Sequence, residues 1–144
     1  MADALATIAR EMPVVFPLQP RSRKRLEAFG LTDRVGEVRL LAPVSYLEML
    51  SPVDSARLVI TDSGGLQEEP AFLRVPCFTV RPNTERPGTL TRGTNRLLTG
   101  PRRLAAAALA QAAARKQTAI EGWDGRAGER IGSVLCGNGG RSTA

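Results

Sequence analysis

The sequence predicts an α/β fold, a Rossmann-like parallel sheet with helices on both faces. Three observations predict it. Short apolar runs recur at residues 14–18, 38–41, 57–61 and 77–80, with a weaker one at 95–98. A single helix-like or turn-rich stretch separates each run from the next, as in parallel strands joined by crossovers. Finally, the apolar run at residues 56–60 (ARLVI) breaks directly into TDSGGLQEE, residues 61–69, a strand that meets glycines and then turns helical.

Taken in order, residues 2–10 read as an amphipathic helix and residues 14–18 (VVFPL) as a short strand. Pro20 and Ser22 open a helix through Phe29 that Gly30 stops. Residues 38–41 form the next strand, and Pro43, Val44 and Ser45 lead into a short helix over residues 46–50, ended by a turn at Pro52. The strand at 57–61 follows, then the glycine motif and a helix. Pro70 is awkward deep inside a helix, so the regular part is expected to begin close to it. Arg74, Val75 and Pro76 end that helix, and residues 77–80 (CFTV) make a buried strand. Residues 81–93 are polar and turn-rich. A strand at 95–98 and an alanine-rich helix at 101–117 come next. Asp124 caps a last helix over residues 127–135, leaving 136–144 (CGNGGRSTA) as a disordered tail. Residues 1–135 thus read as one domain, without internal repeat or interdomain linker.

Composition narrows the chemistry. The 144 residues contain no histidine, which removes the commonest general base, the Ser-His and Cys-His nucleophile pairs, and most zinc and iron sites. A self-contained hydrolase is disfavoured, and no catalytic residue or metal ligand is assigned. The net charge of +6 is almost all arginine. These arginines are scattered among acids and the few aromatics form no stacking series, so a solvated surface is the default and nucleic-acid binding is not expected. No apolar run approaches the ~20 residues of a membrane helix. Cys77 and Cys136 show neither metal spacing nor a disulfide framework, which points to the cytoplasm, with Cys77 in the core.

The motif TDSGGLQEE has two readings. Gly64 and Gly65 let the backbone approach an anion, and the first N–H groups of the next helix point at it. Glu68 and Glu69 would repel phosphate but accept hydrogen bonds from hydroxyls. Together they suit a ligand with both a phosphate and a diol, such as a nucleotide. The plainer reading is a Ser63-capped helix whose acids complement its dipole. In parallel sheets ligands bind beyond the carboxyl ends of the strands. Two further segments lie at such ends, residues 43–49 and the loop holding Asn83, Thr84, Glu85 and Arg86. Arg86 is a candidate pyrophosphate clamp.

These residues resemble a known family. Residues 61–69, Pro76 opening a strand, Asn83-Thr84-Glu85-Arg86-Pro87 and Gly93-Thr94-Asn95-Arg96-Leu97 resemble the non-hydrolysing UDP-N-acetylglucosamine 2-epimerases. The stretch FPLQPRSRKRL at 16–26 is similar to that family's F-P-V-H-P-R-T-R-K segment. Trp123-Asp124-Gly125-Arg126-Ala127, with Glu129-Arg130-Ile131, resembles its W-D-G-K-A…E-R-I close. The resemblance spans about residues 3–135 in matching order. It implies the second domain of a glycosyltransferase-B arrangement, two Rossmann-like domains facing across a cleft.

By that resemblance Ser63, Gly64 and Gly65 would bind the pyrophosphate, Glu69 the ribose hydroxyls and Arg86 the UDP phosphates. Residues 43–49 would line the uracil pocket. Met49 stands where relatives usually place a phenylalanine, losing aromatic stacking. Gln19 stands where the family has a histidine near the cleft and activator site, and cannot carry a proton. The implied reaction interconverts UDP-GlcNAc and UDP-ManNAc without a cofactor, by eliminating UDP to a glycal-type intermediate and re-protonating C2 on the other face. The carboxylates and the histidine that move those protons in the family lie outside this sequence. The expectation is therefore a UDP or UDP-sugar binding half that needs a separate N-terminal half for catalysis and tends to dimerise. A stand-alone UDP-binding module and a degenerate pseudo-enzyme are the alternatives.

Overall fold

A computed structural model describes residues 1–111 and 120–138. Its elements follow the chain as helix α1 (Ala2–Ala9), strand β1 (Val15–Pro17), α2 (Pro20–Ala28), β2 (Arg39–Leu41), α3 (Tyr46–Ser55), β3 (Val59–Thr61), α4 (Glu68–Phe72), β4 (Cys77–Thr79), α5 (Pro87–Thr91), β5 (Asn95–Leu97), α6 (Leu104–Gln111) and α7 (Ala127–Asn138). Turns of 3-10 helix lie at Asp33–Val35, Gly65–Gln67 and Pro101–Arg103. Every strand pairing is parallel, as the alternation of strands and helices predicts. The strands form two ladders rather than one continuous sheet: β1 pairs with β2, and β4 lies between β3 and β5. Side chains bridge the seam between them. Val14 and Ile60 each pack against both apolar clusters that meet there.

The two-residue period of a strand explains how helices cover both faces. Cys77 joins Val53 of α3, Val59 and Val75 on one side of the sheet. Its neighbour Phe78 points the other way, into a cluster with Ile8 of α1 and with Leu104 and Ala108 of α6. Leu104, Ala108, Val75 and Cys77 are completely buried. Burial raises the Cys77 thiol to about 12, with the neighbouring Thr79 hydroxyl acting in the opposite direction. Cys77 is thus an inert core residue, as expected from its strand.

Three boundaries differ from the sequence expectation. Helix α3 does not stop at Pro52 but continues to Ser55. Its start is held by a capping box in which the Ser45 hydroxyl accepts from Glu48 N–H and the Glu48 carboxylate accepts from Ser45 N–H. Those bonds hold the Glu48 carboxyl below the usual carboxylate range. The N–H missing at Pro52 leaves the Glu48 carbonyl without its helical partner, but both residues are exposed, so the carbonyl is open to solvent. Buried Val53 then anchors the rest of the helix to the core. The turn-rich stretch 81–93 contains a short helix, α5, started by Pro87 at its first position. Helix α7 runs on to Asn138, so Cys136 is helical rather than part of a tail; the tail residues 139–144 lie outside the described residues. So do residues 112–117 of the expected alanine-rich helix, whose described part ends at Gln111. Asp124 accepts from Arg126 N–H and pairs with Arg130, bracing the start of α7 from three residues before it.

Helix α4 is short because both its ends are dictated locally. It begins at Glu68, two residues before Pro70, and ends in a Schellman turn: Val75 N–H donates to Pro70 C=O and Arg74 N–H to Ala71 C=O. Arg74 occupies the left-handed position of that turn at φ 60°, where glycine is usual.

Gly93 is the glycine the packing requires. A methyl group there would stand 2.5 Å from the Thr89 carbonyl oxygen and 3.0 Å from the Thr89 Cα, both backbone atoms within α5. Gly93→Ala is expected to lower stability by roughly 1–3 kcal/mol, the usual cost of overpacking a close contact. Urea denaturation checks it, and an unchanged midpoint would show that α5 shifts freely.

Candidate functional site

The site is built at the carboxyl ends of β3 and β4. Beyond β3 the chain passes through Asp62 and Ser63 to the two glycines, then makes the 3-10 turn Gly65–Gln67 before α4 begins. The regular helix therefore does not start at the glycines. Ser63 N–H donates to Thr61 Oγ1 at 3.0 Å, and Ser63 Oγ accepts from Leu66 N–H at 3.5 Å, a long capping bond. Beyond β4, Arg81 and the segment 83–86 form a second loop ending at Pro87 of α5.

One buried side chain joins the two loops. Gln67 is completely inaccessible to solvent. Its Nε2 donates to the Ser63 carbonyl at 2.9 Å. Its Oε1 accepts from the Thr84 hydroxyl and from Asn95 Nδ2, the latter at 3.1 Å. Asn95 in turn donates to Thr89 Oγ1 at 3.1 Å and accepts from Thr79 Oγ1 at 2.8 Å. The network closes on Arg86, whose backbone N–H donates to Thr84 Oγ1 and whose C=O accepts from the Thr89 hydroxyl. Strand β5 contributes because Asn95, which pairs with Cys77 in the ladder, reaches diagonally to Thr79, and both are buried.

Charged groups surround this frame in pairs. Arg81 holds Glu85 with both arms, at 3.0 and 3.1 Å. Hydrogen bonding from its own backbone N–H, followed by Arg81, holds the Glu85 carboxyl below the usual carboxylate range. The pair lies against the glycine loop: a methyl group on Gly64 would be 3.4 Å from Glu85 Oε2 and 3.7 Å from the Arg81 guanidinium. The Arg86 Nε lies 3.5 Å from Glu68 Oε2, which places the candidate clamp beside the motif that precedes it by some twenty positions.

Next to the loops is a groove of about 780 Å³ between α3, α4 and Trp123. Tyr46, Leu50, Phe72 and Trp123 give it an apolar side, and Asp54, Glu68 and Glu69 an acidic one. Glu69 Oε2 is buried and accepts no hydrogen bond from any described group.

The structure thus gathers Ser63, Gly64, Gly65, Glu69 and Arg86 at one place. Met49 goes elsewhere. It is turned to the core, packing against the cluster of Val53, Val59, Val75 and Cys77, while Tyr46 and Leu50 of the same helix line the groove. Helical spacing explains the exchange, since Tyr46 and Leu50 are four residues apart on one face and Met49 and Val53 on another. Gln19 is exposed at the start of α2, after β1, and its side chain makes no capping bond. Sequence reasoning missed Gln67, Thr89 and the pairing of Arg81 with Glu85. A polar residue three positions past a glycine looks solvent-exposed by default, and only its buried company reveals otherwise. Among the described residues no three His, Cys, Asp or Glu side chains gather to hold a metal, and no helix is long and apolar enough to cross a membrane.

Comparison with known proteins matches residues 1–136 to the UDP-N-acetylglucosamine 2-epimerase family. The UDP-N-acetylglucosamine 2-epimerase of Methanococcus maripaludis is 48% identical over 88 residues, covering 59% of this chain and 24% of the relative. That of Methanocaldococcus jannaschii is 46% identical over a stretch covering the same shares. A solved structure of the M. jannaschii UDP-GlcNAc 2-epimerase, in complex with UDP-GlcNAc and UDP, superposes with a TM-score of 0.79 at 35% identity, covering 92% of this chain and 38% of that one. The matched stretch therefore spans about a quarter of the curated relatives, and the superposed part about two-fifths of the solved chain.

Asn95→Leu tests whether the polar frame is as costly to break as its burial implies. It removes three hydrogen bonds and strands the Thr79 hydroxyl, and each buried group left unsatisfied costs about 1–3 kcal/mol. A loss of more than ~2 kcal/mol in chemical denaturation is expected; stability equal to wild type would mean that water already serves this network.

Proposed function

This chain belongs to the UDP-N-acetylglucosamine 2-epimerase family, and we propose that it is the UDP-gripping half of such an enzyme. Residues 1–135 form the nucleotide-binding unit. Ser63, Gly64 and Gly65 hold the pyrophosphate, Arg86 forks onto its oxygens, and Glu69 takes the ribose hydroxyls. The α3 side of the groove receives the uracil, with Tyr46 in place of the aromatic contact that Met49 does not make. Gln19 stands at the cleft without the ability to move a proton.

The observation that carries this reading is Glu69. A buried carboxylate oxygen with no hydrogen-bond donor is rare and calls for a partner. Here it lies in a groove of nucleotide size beside a glycine loop and an arginine. A ribose diol is a donor of the right kind at the right distance from a phosphate.

Epimerisation itself belongs, on this reading, to the assembled enzyme. Inverting C2 needs one group to take a proton and another to return one on the opposite face. The present chain has no histidine; Glu68 and Glu85 are paired with arginines, and Glu69 is given to the ribose. The other half of the cleft, supplied by a further polypeptide segment, brings the acid and base. This half keeps UDP in place, so that it can leave the sugar and add back without diffusing away. Residence in the cytoplasm agrees with two cysteines that form no disulfide, and self-association follows the family's tendency to dimerise.

Calorimetric titration with UDP tests the site. Arg86→Ala is expected to weaken UDP by about 10- to 100-fold, the worth of a hydrogen bond to a charged group, with a smaller loss for Ser63→Ala. Glu69→Ala should weaken UDP by about 10-fold while leaving 2′,3′-dideoxy-UDP nearly unchanged. Equal losses for the two nucleotides would remove Glu69 from the ribose.

A further inference from the structure

We propose that Gln67 is a positioning residue that aims the two phosphate-binding loops at one anion. The inference rests on the nucleotide reading above and goes beyond it, since Gln67 touches no ligand there. A trans peptide is planar, and its C=O and N–H point in opposite directions. Gln67 Nε2 pulls the Ser63 carbonyl inward with a 2.9 Å hydrogen bond. The Gly64 N–H, which shares that peptide plane, is thereby turned away from the interior. The flexible Ser-Gly-Gly segment would otherwise rotate this peptide at little cost, because glycine tolerates many backbone conformations.

The other end of the same amide sets the opposite loop. Gln67 Oε1 accepts from Thr84, and Thr84 Oγ1 accepts from the Arg86 N–H at 3.0 Å. Through Asn95, Gln67 also fixes Thr89, whose hydroxyl holds the Arg86 carbonyl at 2.7 Å. The backbone of Arg86 is thus gripped on both sides by hydroxyls that lead back to Gln67. Only a group with a donor on one atom and an acceptor on the next can serve both loops at once. Glutamine is such a group, whereas glutamate at neutral pH offers acceptors alone. Being fully buried, Gln67 cannot satisfy either end with bulk water.

A residue acting in this way affects phosphates and spares the base and ribose. The experiment compares the full chain with its Gln67→Glu and Thr84→Val variants in titrations with UDP and with uridine, each variant first checked for cooperative thermal unfolding. Gln67→Glu should lose at least 10-fold in UDP affinity and less than 2-fold in uridine affinity. Its UDP-to-uridine ratio, taken relative to wild type, should recover as pH falls and the protonated carboxyl regains a donor for the Ser63 carbonyl. Thr84→Val, which cuts only the Arg86 branch, should show the same selective loss to a smaller extent; it decides the matter if Gln67→Glu does not fold. Wild-type UDP binding with an unchanged ratio in the folded variants would overturn the positioning role alone. Failure of the wild type to bind either UDP or uridine would overturn the nucleotide reading and this inference together.

Discussion

The site depends on a buried amide. Gln67 takes a place in the interior that an aliphatic residue would ordinarily fill, and the structure accepts the desolvation because both ends of the amide are satisfied. A half-satisfied polar group in that position would be worse than an apolar one. The arrangement consequently ties together three segments that short parallel strands hold only at their bases: the loops after β3 and β4 and the start of β5. Each strand contributes just three residues to its ladder. Ladder bonds of that length cannot dictate the conformation of loops several residues beyond them. The hydrogen-bonded frame of Gln67, Thr84, Thr89 and Asn95 extends the order of the sheet outward to where a ligand would meet it.

The same distinction separates what was legible in the sequence from what was not. Apolar runs announce β3 and β4 because burial on both faces demands continuous hydrophobic residues, and the glycines of the motif announce a sharp turn because few other residues tolerate one. The proximity of Arg86 to residues 63–69 was legible from topology, since both segments follow the carboxyl ends of parallel strands, although no local rule links positions twenty apart. Helix α3 was underestimated because proline propensity is a local penalty, while the burial of Val53 and the Ser45–Glu48 capping box are gains that a propensity does not contain. The face that α3 turns to the groove was not legible from residues 43–49 alone: packing of Met49 and Val53 against Val59 and Val75 turns one face to the core and leaves Tyr46 and Leu50 to line the groove. Gln67 itself carries no sequence signal of burial. Glutamine is usually exposed, and its role follows from partners that only the tertiary structure brings together.

The charges at the site bear on how such a half could grip a diphosphate without holding it too firmly. Arg81 and Arg86 do not stand bare; each is matched with a carboxylate, Glu85 and Glu68 respectively. These pairs are substantially exposed, so each contributes little to stability, and exchange of partner is inexpensive. A phosphate arriving between the loops must compete with Glu85 for Arg81 and with Glu68 for Arg86, and the net gain is the difference between two anionic partners rather than the full attraction of a free guanidinium. Affinity is lowered, but the arginines arrive already ordered, and little side-chain entropy is lost on binding. On the proposed reading the nucleotide is both leaving group and returning nucleophile, and that balance would suit it. Backbone groups aimed by a rigid frame would fix where the diphosphate lies, and the paired arginines would adjust as its charge changes.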